Sequence, residues 1–349
     1  MAVIRYRGNP IIRCEDVEPI LDGGQIIGVF NAAVARVGGQ TVLLVRVAER
    51  PEQVDASRVI TAFYDSQTDR IVLKSFDRSD AQWDFTDPRL IAGTDTIYLT
   101  SLSTLRVARS TDGVHFRIDP DVCLQPANAY ESYGLEDPRI SFLDGRYWID
   151  AVAVSSQGVV TELLSTEDFI QFERHGLIFG PENKDVALFT ERINGSAWAL
   201  HRPSSPFSTK NSIWLASSPD FMHWGDHHYL IGPRPGYWDN TRIGAGAPPV
   251  RIEKGWLEIY HGVDQDDRYC LGAVLLDRDR PWRVLARSET PILEPQASYE
   301  TEGFYGQVVF TCGVLLNGST CRIYYGAADE VMAMADVALD DILSTLRRN

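Results

Sequence analysis

A strand-and-turn sequence motif that recurs about every 50 residues is the feature that most limits the fold of this chain. Three copies begin at Ser110, Ser165 and Ser217, each ends in an aromatic residue, and their starts are 55 and 52 residues apart. In step with it, apolar runs turn through Asp-Gly, Asn-Gly or Lys-Gly into runs that contain Trp or Tyr, and such turns are strong hairpin signals. One four-stranded sheet cannot bury both of its faces, so a strand repeat of this period is typical of stacked propeller blades.

The remaining pattern agrees with one all-β domain. Short runs rich in Val, Ile, Tyr, Trp and Thr dominate from Val29 to Val337, and helical spacing is confined to the end, where we expect a short helix at about 338–347. The 349 residues are 44% hydrophobic, enough for one large core, so we expect a single β-propeller over 1–349. Hairpin glycines from Gly39 to Gly318 mark six units, of which the first and last can share a blade where the ring closes.

Charge and composition exclude several classes of function. A formal charge of −15 disfavours nucleic acid, because binding to its phosphate backbone requires a basic surface. The first residues lack the apolar run of a signal peptide, and no segment has the roughly 18 uncharged apolar residues of a membrane helix. The five cysteines are scattered without a CxxC pair, which indicates neither disulfides nor a zinc site. We therefore expect a soluble, cytoplasmic protein with no membrane or nucleic-acid partner.

Polar residues at strand ends are the candidates for chemistry, since propellers place functional residues around the central channel. In the segment GLEDPRI, Glu136, Asp137 and Arg139 immediately precede an apolar strand. Adjacent strand residues point to opposite faces, so we expect one carboxylate to enter the channel while Arg139 holds its neighbour. A turn with an ordinary salt bridge is the alternative for this motif.

A basic cluster follows in the next repeat. Lys184, His201 and Arg202 lie on the two strands of one predicted hairpin. Within so acidic a protein, a cluster of this kind indicates an anionic partner such as phosphate, unless it pairs with Asp185 and Glu191. Four weaker motifs are Asn31 with Arg46, the Gly- and Pro-rich segment around Arg242, the strand end with Tyr260 and His261, and Tyr325 with Asp329.

These motifs together resemble glycoside hydrolase family 130, the β-mannoside phosphorylases and related β-mannosidases. The resemblance spans about 29–337 and is carried, in order, by VFNAAV, LLVRVAE, GLEDPRI, ENKDVALF, ALHRP, RIGAGAPPV, GWLEIYHGV, VLARSETPILEP, VVFTCG and YYGAAD. It implies a five-bladed propeller, which we adopt over the count of six units.

The resemblance also implies roles for individual residues. Asp137 would be the catalytic acid. Residues that would contact mannose or phosphate are Asn31, Arg46, Glu136, Asp185, Tyr260 and Asp329. The phosphate site or the residues that support it would include Lys184, His201, Arg202, Arg139, Arg242, His261 and Tyr325.

Phosphorolysis fits this inventory better than hydrolysis. An inverting glycosidase requires an acid and a base whose carboxyl groups lie about 6.5–9.5 Å apart, whereas phosphate is already an anionic nucleophile and requires one acid and a cationic cradle. We therefore predict an inverting phosphorylase that transfers mannose from a β-linked manno-oligosaccharide to inorganic phosphate as its co-substrate, giving α-mannose 1-phosphate without a metal or another cofactor.

Two other functions stay open at this stage. An inverting β-mannosidase is one, since the arginine that many family phosphorylases carry near Val159 or Val160 is missing here, and Glu162 is then the candidate base. A non-catalytic sugar-binding propeller is the other, and it would bind mannosides without turnover. The linkage, the acceptor sugar and the oligomeric state, with a homo-oligomer among the options, are also left open.

Overall fold

Strands make up nearly all of the regular structure in the computed structural model, which describes residues 2–205, 207 and 210–348. The first thirteen strands are β1 (Val3–Arg5), β2 (Gly24–Val37), β3 (Gln40–Pro51), β4 (Arg58–Asp65), β5 (Arg70–Asp77), β6 (Leu90–Ala92), β7 (Ile97–Leu99), β8 (Leu102–Ser110), β9 (Arg117–Leu124), β10 (Leu135–Leu143), β11 (Arg146–Ser155), β12 (Gly158–Thr166) and β13 (Glu173–Phe179). The other thirteen are β14 (Asn183–Leu188), β15 (Ala197–Pro203), β16 (Ile213–Ser218), β17 (Gly225–Ile231), β18 (Arg242–Gly244), β19 (Val250–Ile252), β20 (Gly255–Val263), β21 (Tyr269–Leu276), β22 (Val284–Ser288), β23 (Val309–Asn317), β24 (Thr320–Ala327), β25 (Val331–Ala338) and β26 (Leu346–Arg347).

The helices are few and short. Two α-helices, α1 (Ser298–Thr301) and α2 (Leu339–Thr345), and two 3-10 turns, Cys14–Asp16 and Ala129–Glu131, interrupt the strands. None of the helices in the described part of the chain is long and apolar enough to cross a membrane.

Five antiparallel sheets form the blades of a propeller. Blade I is β2-β3-β8-β9, blade II is β10 to β13, blade III is β14 to β17, blade IV is β18 and β19 followed by β20-β21-β22-β26, and blade V is β23-β24-β25-β1. Among the innermost strands, β10 contacts β2, β14 and β23, and β2 also contacts β23. This arrangement confirms the five-bladed β-propeller.

Blade V contains strands from both ends of the chain. Its outer strand β1 pairs with β25, with Val3 opposite Val337 and Arg5 opposite Ala335. The count of six units was wrong because it included the glycine at position 93. Gly93 follows β6 in the short hairpin β6–β7, which belongs to no blade. Ring closure is instead made by the first strand of the chain.

The repeated sequence motif forms the turn between the third and fourth strands of blades I, II and III. Asp112, Asp168 and Asp220 occupy the same place in the three turns, and one carboxylate oxygen of each accepts hydrogen bonds from the backbone N–H groups two and three residues later. Asp and Ser recur there because their short side chains can satisfy backbone donors in a turn.

The hydrophobic core is divided among the interfaces between blades. Five buried clusters occupy the interfaces I–II, II–III, III–IV, IV–V and V–I, and helix α2 contributes Ile342 to the cluster between IV and V. Each blade thus buries its two faces against its neighbours, which leaves the strand ends and loops free to form a site on the axis.

An insertion between β3 and β8 extends blade I toward blade II. It contains the hairpins β4–β5 and β6–β7, and its residues Phe63, Tyr98 and Leu99 pack against Tyr133 and Val154 of blade II. The insertion forms part of the rim of the central cavity.

Candidate active site

Backbone bulges in the innermost strands bring polar side chains to the axis. Asn31, Asp137 and Asp185 have φ angles of 51°, 43° and 51°, and each lies where the pairing register of β2, β10 or β14 shifts. Asn and Asp are among the non-glycine residues that tolerate this left-handed conformation best. The three bulges therefore direct three polar side chains from three blades into one cavity.

The cavity has a volume of about 390 Å³ and collects most of the residues predicted from the sequence. Those that line it are Asn31, Arg46, Glu136, Asp137, Lys184, Asp185, Arg202, Arg242, His261 and Asp329. Its size lies within the range of roughly 300–1,000 Å³ that is usual for small-molecule sites.

One side of the cavity is built around Arg46. Its Nη2 lies 2.7 Å from Glu136 Oε1 and its Nη1 lies 3.1 Å from Asp137 Oδ1, to which Asn31 Nδ2 also donates a hydrogen bond of 2.9 Å. We expected Glu136 and Asp137 to face opposite sides of the strand, and this was wrong. The bulge between Glu136 and Arg139 breaks the alternation, so both carboxylates reach Arg46.

The carboxyl groups on this side differ in their protonation. Burial acts to raise the pKa of Asp137, but the guanidinium groups of Arg46 and Arg139 outweigh it and hold that pKa below its usual value. Burial raises the pKa of Asp329 to about 7, where the negative charges of Asp137 and Glu136 oppose its ionisation and Arg46 favours it. At neutral pH the cavity therefore contains an ionised Asp137 and a partly protonated Asp329.

The opposite side of the cavity is cationic. Lys184 and Arg202 are direct neighbours across the β14–β15 pair, as the predicted hairpin required. Arg202 Nε lies 2.6 Å from Asp185 Oδ2, and this charge contact contributes to holding the pKa of Asp185 far below its usual value despite burial. Neither Lys184 nor the terminal nitrogens of Arg202 has a hydrogen-bonding partner among the described residues. These donors are available to an anion.

His261, Arg242 and Tyr269 complete the cationic side. Burial, together with the nearby positive charge of Arg202, lowers the pKa of His261 to about 3, so its imidazole is neutral at physiological pH. Arg242 Nη2 donates a hydrogen bond of 2.6 Å to the hydroxyl of Tyr269, which also lines the cavity. Sequence reasoning missed Tyr269; the available signal was its position at the start of the strand that follows the Tyr-His-Gly strand.

Four predicted residues do not line the cavity. Arg139 lies beneath it, fully buried, where its guanidinium donates to the backbone carbonyls of Ala245, Gly246 and Asp137. It therefore supports the bulge that carries Asp137 but does not face a ligand space.

His201, Tyr260 and Tyr325 point away from the cavity for a common reason. Side chains of adjacent residues in a strand point to opposite faces. Each of these three residues is adjacent in its strand to a residue that faces the central axis or the neighbouring blade, so its own side chain lies on the other face. His201 stacks on Phe179 and hydrogen-bonds Asn183.

The two tyrosines are buried in polar networks of their own. The Tyr260 hydroxyl donates to Asp239 at 2.7 Å and accepts from Arg287 at 3.0 Å. The Tyr325 hydroxyl donates to Glu300 at 2.7 Å. Neither is placed to contact a ligand in the cavity.

Glu162, the candidate base of a hydrolase, also lies outside the cavity. Its carboxylate is buried beside Glu131, with Asn128 and Arg174 as its partners. The cavity wall formed by Val154 and Val159 is apolar. Glu162 therefore does not face the cavity.

Across residues 2–205, 207 and 210–348, no three His, Cys, Asp or Glu side chains come together in a way that could hold a metal ion.

Comparison with known proteins assigns the family. Residues 88–348 match the family 130 glycoside hydrolase model, described as β-1,4-mannooligosaccharide phosphorylase. A β-1,2-mannobiose phosphorylase from Listeria innocua is 46% identical over 350 residues, which cover 99% of each chain. A 1,2-β-oligomannan phosphorylase from a Thermoanaerobacter strain is 39% identical over 245 residues, which cover 69% of this chain and 80% of the relative.

Solved structures agree with the fold. The Listeria innocua β-1,2-mannobiose phosphorylase in complex with β-1,2-mannobiose superposes with a TM-score of 0.95 at 45% identity, over 99% of both chains. The mannose phosphorylase MPT-4 from Leishmania mexicana, in complex with a phosphate ion, has a TM-score of 0.59 at 13% identity over 91% of this chain and 85% of that one, and shows a shared fold only. The chain belongs to glycoside hydrolase family 130.

Proposed function

We propose that the chain is an inverting phosphorylase of β-mannosides, with β-1,2-mannobiose as its substrate and α-mannose 1-phosphate and mannose as its products. The observation that carries the proposal is a single cavity in which the carboxylates around Arg46 face the free donors of Lys184 and Arg202. The β-1,2 linkage rests on the relative that is 46% identical over the whole chain, because a β-1,4-mannooligosaccharide phosphorylase from Ruminococcus albus is only 34% identical over 70% of it.

The two sides of the cavity suggest separate roles in binding mannose and phosphate. Asn31, Arg46, Glu136 and Asp329 would bind the hydroxyl groups of the mannose, since carboxylates and amides accept and donate the hydrogen bonds that sugars require. Asp137 would be the acid. Lys184, Arg202, Arg242, His261 and Tyr269 would bind phosphate, while Asp185 orients Arg202 and Arg139 supports the site from below.

The chemistry balances without a second acid or base. A phosphate oxygen attacks C1 from the face opposite the leaving group, the C1–O bond breaks with inversion, and the leaving oxygen takes a proton. Because HPO₄²⁻ loses one proton when it becomes a mannosyl phosphate dianion, the reaction takes up no net proton. The low pKa of Asp137 keeps it ionised before the reaction, so the proton that it delivers to the leaving oxygen is the one that the bound HPO₄²⁻ gives up.

The test is turnover of a panel of mannobioses with and without phosphate. We expect α-mannose 1-phosphate, identified by phosphorus NMR, from β-1,2-mannobiose, and much less from the β-1,3 and β-1,4 isomers. Free mannose as the main sugar product at saturating phosphate, or equal turnover without phosphate, would contradict phosphorolysis. Preference for another isomer would contradict the linkage only.

Other features expected from the sequence stay predictions. These are a single catalytic domain over 1–349, independence of metal ions, a cytoplasmic location and the existence of a homo-oligomer. Activity in the presence of a chelator tests the second, and the mass of the protein in solution tests the last.

A further inference from the structure

A buried carboxylate on helix α1 is the meeting point of three distant parts of the chain. Glu300 is fully buried, and its carboxylate accepts hydrogen bonds from Arg5 Nε at 2.8 Å, Arg5 Nη2 at 3.1 Å and the Tyr325 hydroxyl at 2.7 Å. The backbone N–H groups of Gln296 and Ala297 donate to it as well. Arg5 belongs to β1, the strand that closes the ring.

The backbone of Glu300 leads directly to the wall of the cavity. Its carbonyl accepts a hydrogen bond of 3.0 Å from Val308 N–H, and the Val308 carbonyl accepts one of 3.1 Å from Ala328 N–H. Ala328 in turn accepts from Tyr305 N–H at 2.9 Å. The 302–308 segment is thereby tied to Glu300 through Val308, and to Ala328, the residue that precedes Asp329, through Tyr305 and Val308.

This segment and Asp329 form one side of the cavity. Phe304, Val308 and Asp329 all line it. The segment approaches Ala328 closely, since a Cβ added at Gly303 would lie 2.6 Å from the Ala328 side chain. A shift of Glu300 would therefore move this wall of the cavity and, through Ala328, the carboxyl group of Asp329.

We propose that Arg5 and Glu300 are positioning residues for mannoside binding: their ion pair couples closure of the propeller ring to the placement of the 302–308 segment and Asp329. The proposal rests on the proposed function, because it assigns the wall to the mannoside. Charge-assisted hydrogen bonds to a buried carboxylate are among the strong ones, and removing one partner leaves the other unsatisfied.

The experiment compares Arg5→Met with Arg322→Met. Methionine keeps the length of the arginine stem and removes the ion pair, together with the hydrogen bond of 2.7 Å that Arg5 Nη2 donates to the Glu294 carbonyl. Arg322 makes an equivalent two-contact pair with Asp336 in the same blade, at 2.9 Å and 2.9 Å, and it does not line the cavity. We expect Arg5→Met to raise the KM for β-1,2-mannobiose by about 10-fold while kcat changes by less than about threefold, and Arg322→Met to leave both within about twofold.

Each other outcome has a defined meaning. An unchanged mannobiose KM in Arg5→Met, or an equal change in Arg322→Met, would overturn the proposal. If Arg5→Met does not fold, Tyr325→Phe removes a single hydrogen bond to Glu300, and a KM rise of about threefold is then expected, with no rise counting against the proposal. Wild-type protein that forms no mannose 1-phosphate would contradict the proposed function instead.

Discussion

Asp137 combines a low pKa with a proposed role as the acid, so its contribution is best measured by a substitution that keeps its shape but can neither ionise nor transfer a proton. Asp137→Asn keeps the shape, the hydrogen bond to Asn31 and tolerance of the left-handed backbone. General acid catalysis is typically worth about 10²–10⁴-fold, so we expect kcat to fall by that factor with little change in the mannoside KM.

Asp144→Asn is the control for this change. Asp144 is also an aspartate with a left-handed backbone, with φ of 54°, but it lies in the exposed hairpin between β10 and β11. Its substitution should leave kcat unchanged. A near-normal kcat in Asp137→Asn would move the acid to another carboxyl of the cavity, with Glu136 and Asp329 the next to test.

Arg202 separates the phosphate side from the sugar side. Charge-assisted hydrogen bonds contribute roughly 1.5–3 kcal/mol, so Arg202→Ala should raise the phosphate KM by about 10- to 150-fold and affect the mannoside KM far less. Arg202→Lys should restore only part of the loss, because an ammonium group cannot make the two parallel bonds of a guanidinium.

His201→Ala is the matched control within the same strand. His201 is adjacent to Arg202 but stacks on Phe179, away from the cavity. We expect its phosphate KM to stay within about twofold of the wild type, since no ligand contact is lost. If His201→Ala impairs phosphate use as strongly as Arg202→Ala, the claim that only Arg202 of these two residues contacts phosphate is contradicted.

These two neighbours show how far single residues could be predicted. The sequence predicted a cluster of Lys184, His201 and Arg202. It placed His201 and Arg202 together, although adjacent residues of a regular strand point to opposite faces. At Glu136 and Asp137 the opposite error occurred, since the bulge places both at Arg46. A bulge depends on pairing with the next strand, so the sequence of one strand does not reveal it.

At the scale of the element, the innermost strands require small residues where a neighbouring bulge brings its carboxylate close. A Cβ at Gly244 of β18 would lie 2.1 Å from Asp185 Oδ2 and 2.5 Å from the His261 ring. Gly244→Ala should therefore displace Asp185 or His261 and raise the phosphate KM by at least about 10-fold with a modest loss of stability.

Gly225 provides the comparison for Gly244. It begins β17, and a Cβ added there would meet nothing within 4 Å. Gly225→Ala should leave kinetics and melting temperature unchanged. An equally active Gly244→Ala protein would mean that the β18 backbone yields at little cost, and that the close packing seen around Asp185 does not govern phosphate binding.

The elements were more predictable than the residues because their signals are local. The turns of blades I, II and III carry the same Asp, which satisfies its own backbone, so the repeat was visible in the sequence. Blade closure was not visible. The pairing of β1 with β25 joins residues more than 300 positions apart, and no short-range pattern of β1 specifies its partner.

At the scale of the whole molecule, closure of the ring depends on the first strand. Removing residues 2–8 deletes β1 and the contacts of Arg5, and it exposes β25 as an open edge. We expect a lower melting temperature and a tendency to aggregate. Removing residues 346–349 also deletes an outer strand, β26, but leaves the ring closed, so its effect should be smaller. An equal decrease in melting temperature for the two truncations would mean that ring closure stabilises the protein no more than the pairing of any outer strand does.

One contribution to the pH dependence of stability comes from Asp150, a carboxyl group buried near Arg139. Asp150 is almost fully buried, one of its oxygens has no partner among the described residues, and burial raises its pKa to about 8 in spite of Arg139. The unfolded chain releases this proton near pH 4, whereas the folded protein keeps it until about pH 8. The folded state therefore binds the extra proton throughout that window, and its stability falls as the pH rises through it.

Replacing the Asp150 carboxyl by an amide tests this account, because the amide imitates the protonated carboxyl at every pH. Each buried carboxyl of this kind lowers the free energy of unfolding by up to about 1.4 kcal/mol per pH unit within its window. Unfolding curves in denaturant at pH 6 and pH 9 should show a smaller loss of stability for Asp150→Asn than for the wild type, while the exposed substitution Asp144→Asn should follow the wild type. Parallel losses in Asp150→Asn and the wild type would assign the pH dependence to other groups, of which Glu162, with a pKa raised to about 8 beside Glu131, is the next to replace.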